Sequence, residues 1–164
     1  MPDHRFRIRR ADPSDARACA YVHHTSWVET YSALLPSSHW TTDTLERRTV
    51  SWERSLDSGK VVTVAESGVR IIGIAITNTA RVRGGHEPVR ESELSCLYLL
   101  SEHHGSGAGR ALLDAVLPPG ASAQLWVAEG NSRAWRFYQR NGFSPDGARF
   151  TDENLGLIEA RLVR

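Results

Sequence analysis

Residues 101–117 read SEHHGSGAGRALLDAVL. Glycine stands at every second position from Gly105 to Gly109, and the apolar residues that follow recur at helical spacing as far as Leu117. Glycine-rich turns that open helices hold phosphates, because backbone N–H groups and the positive end of the helix dipole converge there. The spacing excludes two familiar phosphate loops. A nucleotide loop of the form GxxxxGK[ST] needs a lysine for the phosphates and a hydroxyl for magnesium, but Arg110 and Ala111 follow Gly109. A dinucleotide GxGxxG fails as well: its sixth position falls on Arg110 counted from Gly105 and on Leu112 counted from Gly107.

Outward from this turn the chain alternates strand and helix signals. The run ELSCLYLL (93–100) is the strand expected to feed the turn, and Pro118-Pro119-Gly120 ends the helix after it. AQLWVAE (123–129) reads as the next strand, 131–140 as a helix stopped by Asn141-Gly142, and 143–150 and 157–163 as two closing strands. Upstream, RFRIRRAD starts a strand near 6–8, and Asp12-Pro13 marks a helix start with Asp12 as N-cap. Ala16, Ala20, His23/His24, Trp27 and Tyr31 then share one helical face, Pro36 breaks it, and a second helix is expected over about 42–56. VVTVAE and RIIGIAITN form a hairpin about Ser67-Gly68. The order β-αα-βββ-α-β-α-ββ reads as one α/β domain over 1–164.

Composition narrows the function classes. A net charge of +1 argues against a dedicated nucleic-acid binder. Apolar residues at 40% and charged residues at 24% are those of a globular chain, and no run is apolar enough to span a bilayer. MPDHRFRIRR is basic but lacks the apolar core of a secretory leader, so a cytoplasmic location is expected, with no membrane partner. Cys19 and Cys96 lie far apart without CxxC spacing, which supports neither a zinc knuckle nor a disulfide framework. The adjacent histidines 23–24 and 103–104 point in different directions with no third ligand placed, so no metal site is expected.

The remaining frame, Gly-x-Gly-x-Gly at a strand-to-helix joint, resembles the pyrophosphate motif [QR]-x-x-G-x-[GA] of the GNAT superfamily of acyl-CoA N-acyltransferases. Gly107 and Gly109 fall on its glycine positions, His104 replaces the Gln/Arg, and Ser101 stands where the family often has proline. ELSCLYLL is similar to the family's E-L-x-x-L-Y-V strand. NSRAWRFYQRNGF is similar to N-x-x-A-x-x-x-Y followed by G-F, matched at Asn131, Ala134, Tyr138, Gly142 and Phe143.

The resemblance implies a mixed, mostly antiparallel sheet flanked by helices, and acetyl-CoA as co-substrate. It implies that His104, Gly105, Ser106, Gly107, Ala108, Gly109 and Arg110 cradle the pyrophosphate. The backbone of Leu97, Tyr98 and Leu99 would pair with the pantetheine arm. Asn131, an N-cap in its own right, would also touch the coenzyme. Tyr138, seven residues on and so on the same helix face, would protonate the departing thiolate, although its bland alternative is an aromatic core residue. Glu93, eleven residues before His104, has the separation seen for the base of histone-modifying members, and a solvated strand-end carboxylate is its alternative. His24, Trp27 and Tyr31 would line the acceptor wall, with core packing as the competing role. The function expected is acetyl transfer to a primary amine of a small molecule. A protein N-terminus or lysine as acceptor, and a non-catalytic acyl-CoA-binding regulatory domain, stay open, and the chain length leaves room for a homodimer.

Overall fold

Capping chemistry sets where the first helix begins. Asp12 accepts from the Ser14 N–H at 2.9 Å, while Asp15 accepts from the Asp12 N–H at 2.9 Å. This reciprocal pair surrounds a 3-10 turn at Pro13–Asp15 and launches α1, Ala16–Tyr31. The structure, a computed structural model, describes residues 5–164; Met1–His4, part of the stretch read for a leader, lie outside the described residues.

The second helix, expected over about 42–56, begins a few residues later, and a separate helical turn precedes it. A single turn, α2 (His39–Thr42), is followed by α3 (Leu45–Asp57), whose N-cap Thr44 accepts from the Arg47 N–H at 3.3 Å. Asp43 between them leaves the helical region at φ −88°, ψ 82°. Its carboxylate is taken by Arg48 at 2.6 Å and by His39 at 3.1 Å. The break is therefore held by long side chains from both flanks, which apolar periodicity does not register.

The strands are β1 (Arg7–Arg10), β2 (Thr63–Ser67), β3 (Arg70–Thr79), β4 (Ser92–Leu99), β5 (Gln124–Ala128), β6 (Ser144–Asp152) and β7 (Leu157–Val163). Helices α4 (Ala108–Val116) and α5 (Ser132–Arg140) flank β5 in sequence. The sheet order is β1-β2-β3-β4-β5-β7-β6. Strands β4 and β5 pair in parallel through Glu93↔Gln124 and Leu94↔Leu125, while β1/β2, β2/β3, β5/β7 and β6/β7 are antiparallel. The mixed, mostly antiparallel sheet and the element order agree with expectation. Two compact units divide the chain: residues up to Ile76 with Cys96–Val116, and Thr77–Ser95 with Leu117–Arg164. Among the described residues no helix is long and apolar enough to cross a membrane.

In the first unit, hydrophobic burial is split between two faces of the strands. Ala16, Cys19, Ala20 and Val22 of α1 pack with Trp52 and Leu56 of α3 on Val64, Ile71, Ile74 and Ile76. Ala108 and Leu112 of α4 pack on Ala65, Ile72 and Ala75. A bulge between Ala65 and Glu66 shifts the β2/β3 register by one. The alternation of β3 changes phase there, which puts Ile71 and Ile72 on opposite sides and Ile74 back with Ile71. Gly73 lets α4 approach: a Cβ there would lie 2.7 Å from Leu112 Cδ1 and 3.0 Å from the Tyr98 carbonyl oxygen.

The second unit buries Leu125 and Val127 of β5 with Ala160 and Leu162 of β7, together with Phe143. On the alternate residues of the same strands it buries polar groups, namely Gln124, Glu159 and Arg161. The connection between β3 and β4 satisfies them in part. Arg83 pairs with Glu159 at 2.9 Å, and Arg161 donates to the Glu87 carbonyl at 2.7 Å and to Asp146 at 2.7 Å.

Candidate functional site

In the first unit, β4 runs into a 3-10 turn at Ser101–His103 and then the glycine turn before α4. Gly105 and Gly107 have φ of 80° and 89°, and a Cβ on either would meet no atom within 4 Å. Glycine is required here by the left-handed backbone and not by crowding, so the outer side of the turn is open to a ligand. Gly109 lies within α4, and Arg110 is exposed, 3.4 Å from Asp114. Two N–H groups of the turn have partners inside the protein: Ser106 N–H donates to the His103 carbonyl at 3.2 Å, and Ala108 N–H to Ser106 Oγ at 3.3 Å. His104 turns its ring back along the chain, where Nε2 donates to the Leu99 carbonyl at 3.0 Å. The ring thus clips the loop to the end of β4.

The helical wall is in the same unit. Trp27 Nε1 donates to Tyr98 Oη at 3.0 Å, so two residues singled out for different reasons are in contact. Tyr31 lies against Trp27 with ring centroids 4.6 Å apart, and His24 Nε2 donates to the Asp43 carbonyl at 3.1 Å. Sequence reasoning missed Arg48, whose guanidinium sits 5.1 Å over Trp27, and His39 and Trp40, whose rings are 4.7 Å apart. Burial pushes the Asp43 carboxyl up, but Arg48 and His39 outweigh it and hold it below the usual carboxylate range.

His23, which its spacing puts on the same helical face, has no part in the expected acceptor wall. Its ring stacks on Tyr98 at 4.8 Å and its Nδ1 accepts from Trp52 Nε1 at 3.2 Å, which requires the neutral ring. Burial, with Arg48 nearby, pushes its pKa down to about 3 from 6.5. The unfolded ring takes a proton near 6.5 that the folded ring refuses. Its contribution to stability is therefore whole above that pH and is lost as pH falls toward 3. Asp15, held low first by its hydrogen bonds from Arg9, sheds its share at more acid pH. Urea denaturation at about pH 7.5 and about pH 5 is expected to show lower stability at the acid value, with the difference much reduced in His23→Phe. An unchanged difference in that variant would remove His23 as the source.

In the second unit, Asn131 caps α5, its Oδ1 accepting from the Ala134 N–H at 3.2 Å. Tyr138 is buried, edge-on to Phe137 at 5.4 Å and to Phe143 at 5.9 Å. Glu93 is partly buried, and its Oε2 accepts from Gln124 Nε2 at 2.8 Å. Gln124 carried no signal in the sequence, since it interrupts an apolar strand with a lone amide. Among the described residues, no cluster of three or more His, Cys, Asp or Glu could hold a metal ion. Both thiols are pushed up by burial, Cys19 to about 12 and Cys96 further, which makes neither a nucleophile.

Comparison with known proteins places this arrangement. A model of the acetyltransferase (GNAT) family matches residues 22–143. An uncharacterised N-acetyltransferase of Bacillus subtilis is 30% identical over 160 residues, covering 94% of this chain and 87% of its own length. An uncharacterised N-acetyltransferase of Mycobacterium bovis is 38% identical over 98 residues, or 57% of this chain, and the chain spans 58% of that relative's length. The crystal structure of the PaiA N-acetyltransferase of Thermoplasma acidophilum, in complex with coenzyme A, superposes with a TM-score of 0.65 at 20% identity, covering 96% of this chain and 98% of that one.

Proposed function

The chain belongs to the acetyltransferase (GNAT) family, and on that premise we propose that it moves the acetyl group of acetyl-CoA onto a primary amine of a small molecule. The observation that carries this reading is the pair of left-handed glycines, Gly105 and Gly107, opening α4 with nothing of the protein near their outer side. Backbone N–H groups of 105–110 other than those of Ser106 and Ala108 receive the pyrophosphate at the positive end of α4. The backbone of Leu97, Tyr98 and Leu99 pairs with the pantetheine arm, and one N–H there polarises the thioester carbonyl, a contribution of about 3 kcal/mol. Asn131 adds a contact to the coenzyme beyond its capping role.

The amine attacks the thioester carbon directly, in a ternary complex. Glu93 takes the first proton that the ammonium must lose, through water, and later releases it to solvent. The carbon–sulfur bond breaks as the Tyr138 phenol gives its proton to the departing thiolate. The phenolate is refilled through water by the second proton, which the attacking nitrogen sheds as the amide forms. A phenol with an ordinary pKa near 10 stays protonated at neutral pH and is a competent acid toward a thiolate as it forms. The products are the N-acetyl amine and free coenzyme A. His24, Trp27 and Tyr31 form the acceptor wall. Asp43 beside it already has its charge matched by Arg48 and also bonds His39, and such a ring-rich surface suits a small amine better than a polycation.

Calorimetry with acetyl-CoA, followed by a thiol-release assay over amino acids, a polyamine, an aminoglycoside and peptides with free N-termini or lysines, tests the proposal. Binding with release on a small amine is the expected result. Release only on peptides would move the acceptor to protein, and binding without release on any amine would favour a regulatory coenzyme-binding domain.

A further inference from the structure

Gln124 is wholly buried at the start of β5, and its register partner on β4 is Glu93, so the two side chains leave the sheet on one face. Both ends of the amide are committed. Oε1 accepts from the Val89 N–H at 2.9 Å and from the Arg90 N–H at 3.2 Å. Two backbone donors on one oxygen leave no choice of amide orientation, and Nε2 is thereby aimed at Glu93 Oε2, 2.8 Å away. A donor fixed from behind holds one oxygen of Glu93 in place. The other charged groups of this region are Glu159 on β7, ion-paired with Arg83, and Arg90, whose Nε donates to the Arg164 carbonyl. Glu159 feels the like charges of both Asp152 and Glu93.

Resting on the reading of Glu93 as the base, we infer that Gln124 is its positioning residue, orienting the carboxylate while tying the β3–β4 connection to β5. The interaction is charge-assisted and shielded from solvent on the amide side, which distinguishes it from an exposed carboxylate contact. The amide needs the connection in place to keep its orientation, so the base is oriented only when Val89 and Arg90 are docked.

Side-chain 1H–15N NMR of the full chain tests the link without any acceptor. A Gln124 side-chain proton is expected to shift with pH in one step as Glu93 titrates, and to lose that step in Glu93→Gln. Kinetics supply the second arm, with acetyl-CoA and the small amine that gives fastest release. Gln124→Glu keeps an oxygen for Val89 and Arg90 but sets a second carboxylate against Glu93. The acid limb of kcat is then expected about one pH unit higher, with KM for acetyl-CoA changed less than about twofold. A Gln124 signal indifferent to both pH and Glu93→Gln, with Glu93→Gln inactive, overturns the inference and leaves the base reading standing. A coupled signal with Glu93→Gln fully active overturns the base reading and, with it, any catalytic role for Gln124.

Discussion

Tyr138→Phe is expected to lower the rate of thiol release by about 100-fold or more while acetyl-CoA binds as before. The ring that packs edge-on to Phe137 and Phe143 is kept, so the variant should fold, and what it loses is the phenolic hydroxyl. Without that proton the leaving group departs as a free thiolate, and general-acid assistance of this kind is worth about two to four powers of ten. Stopped-flow detection of free thiol, with calorimetry for coenzyme affinity, separates chemistry from binding. A rate within about threefold of the parent would return Tyr138 to the status of a core aromatic and assign the proton to another donor.

The second large effect is expected at Gly107. Gly107→Ala probes the backbone alone, since φ is 89° and a Cβ would touch nothing. Its cost should be about 1–2 kcal/mol of stability or of loop population. Gly107→Asp adds to the same strain a negative charge on the open side of the turn, where the proposed function puts the pyrophosphate. Acetyl-CoA affinity is expected to fall by at least about tenfold beyond the alanine variant, through charge repulsion and the loss of close backbone approach. Because the protein itself offers no clash, the difference between the two variants reads the ligand. Equal affinities for both variants and the parent would put the pyrophosphate elsewhere.

Much of this was legible locally. Asn131 caps the helix it was expected to cap, Asp12 caps the 3-10 turn that leads into α1, Pro118-Pro119-Gly120 ends α4, and Gly142 closes α5 at φ 88°. These signals lie within four residues of what they control, and a cap or a left-handed turn depends on little else. The α2/α3 break was hidden because its cause, Asp43 shared between His39 and Arg48, is a side-chain matter. The phase of β3 was hidden for another reason. RIIGIAI is apolar at nearly every position and buried on both faces, so alternation carries no information until the bulge opposite Ala65/Glu66 sets it.

The site divides in the same way. Its glycine spacing and the Asn131–Tyr138 interval are properties of one turn and one helix, and they are written in consecutive residues. What His104, His23 and Gln124 do is settled by partners brought in by folding. The ring of His104 could reach a phosphate or a carbonyl, and the docked end of β4 supplies Leu99. His23 is held neutral by burial among rings that include Trp52, 29 residues away, and Tyr98 on β4. Gln124 meets Glu93 across a separation of 31 residues. An imidazole, an amide or a carboxylate has several chemical states open to it in water, and only the burial and the fixed donors of the folded chain select one.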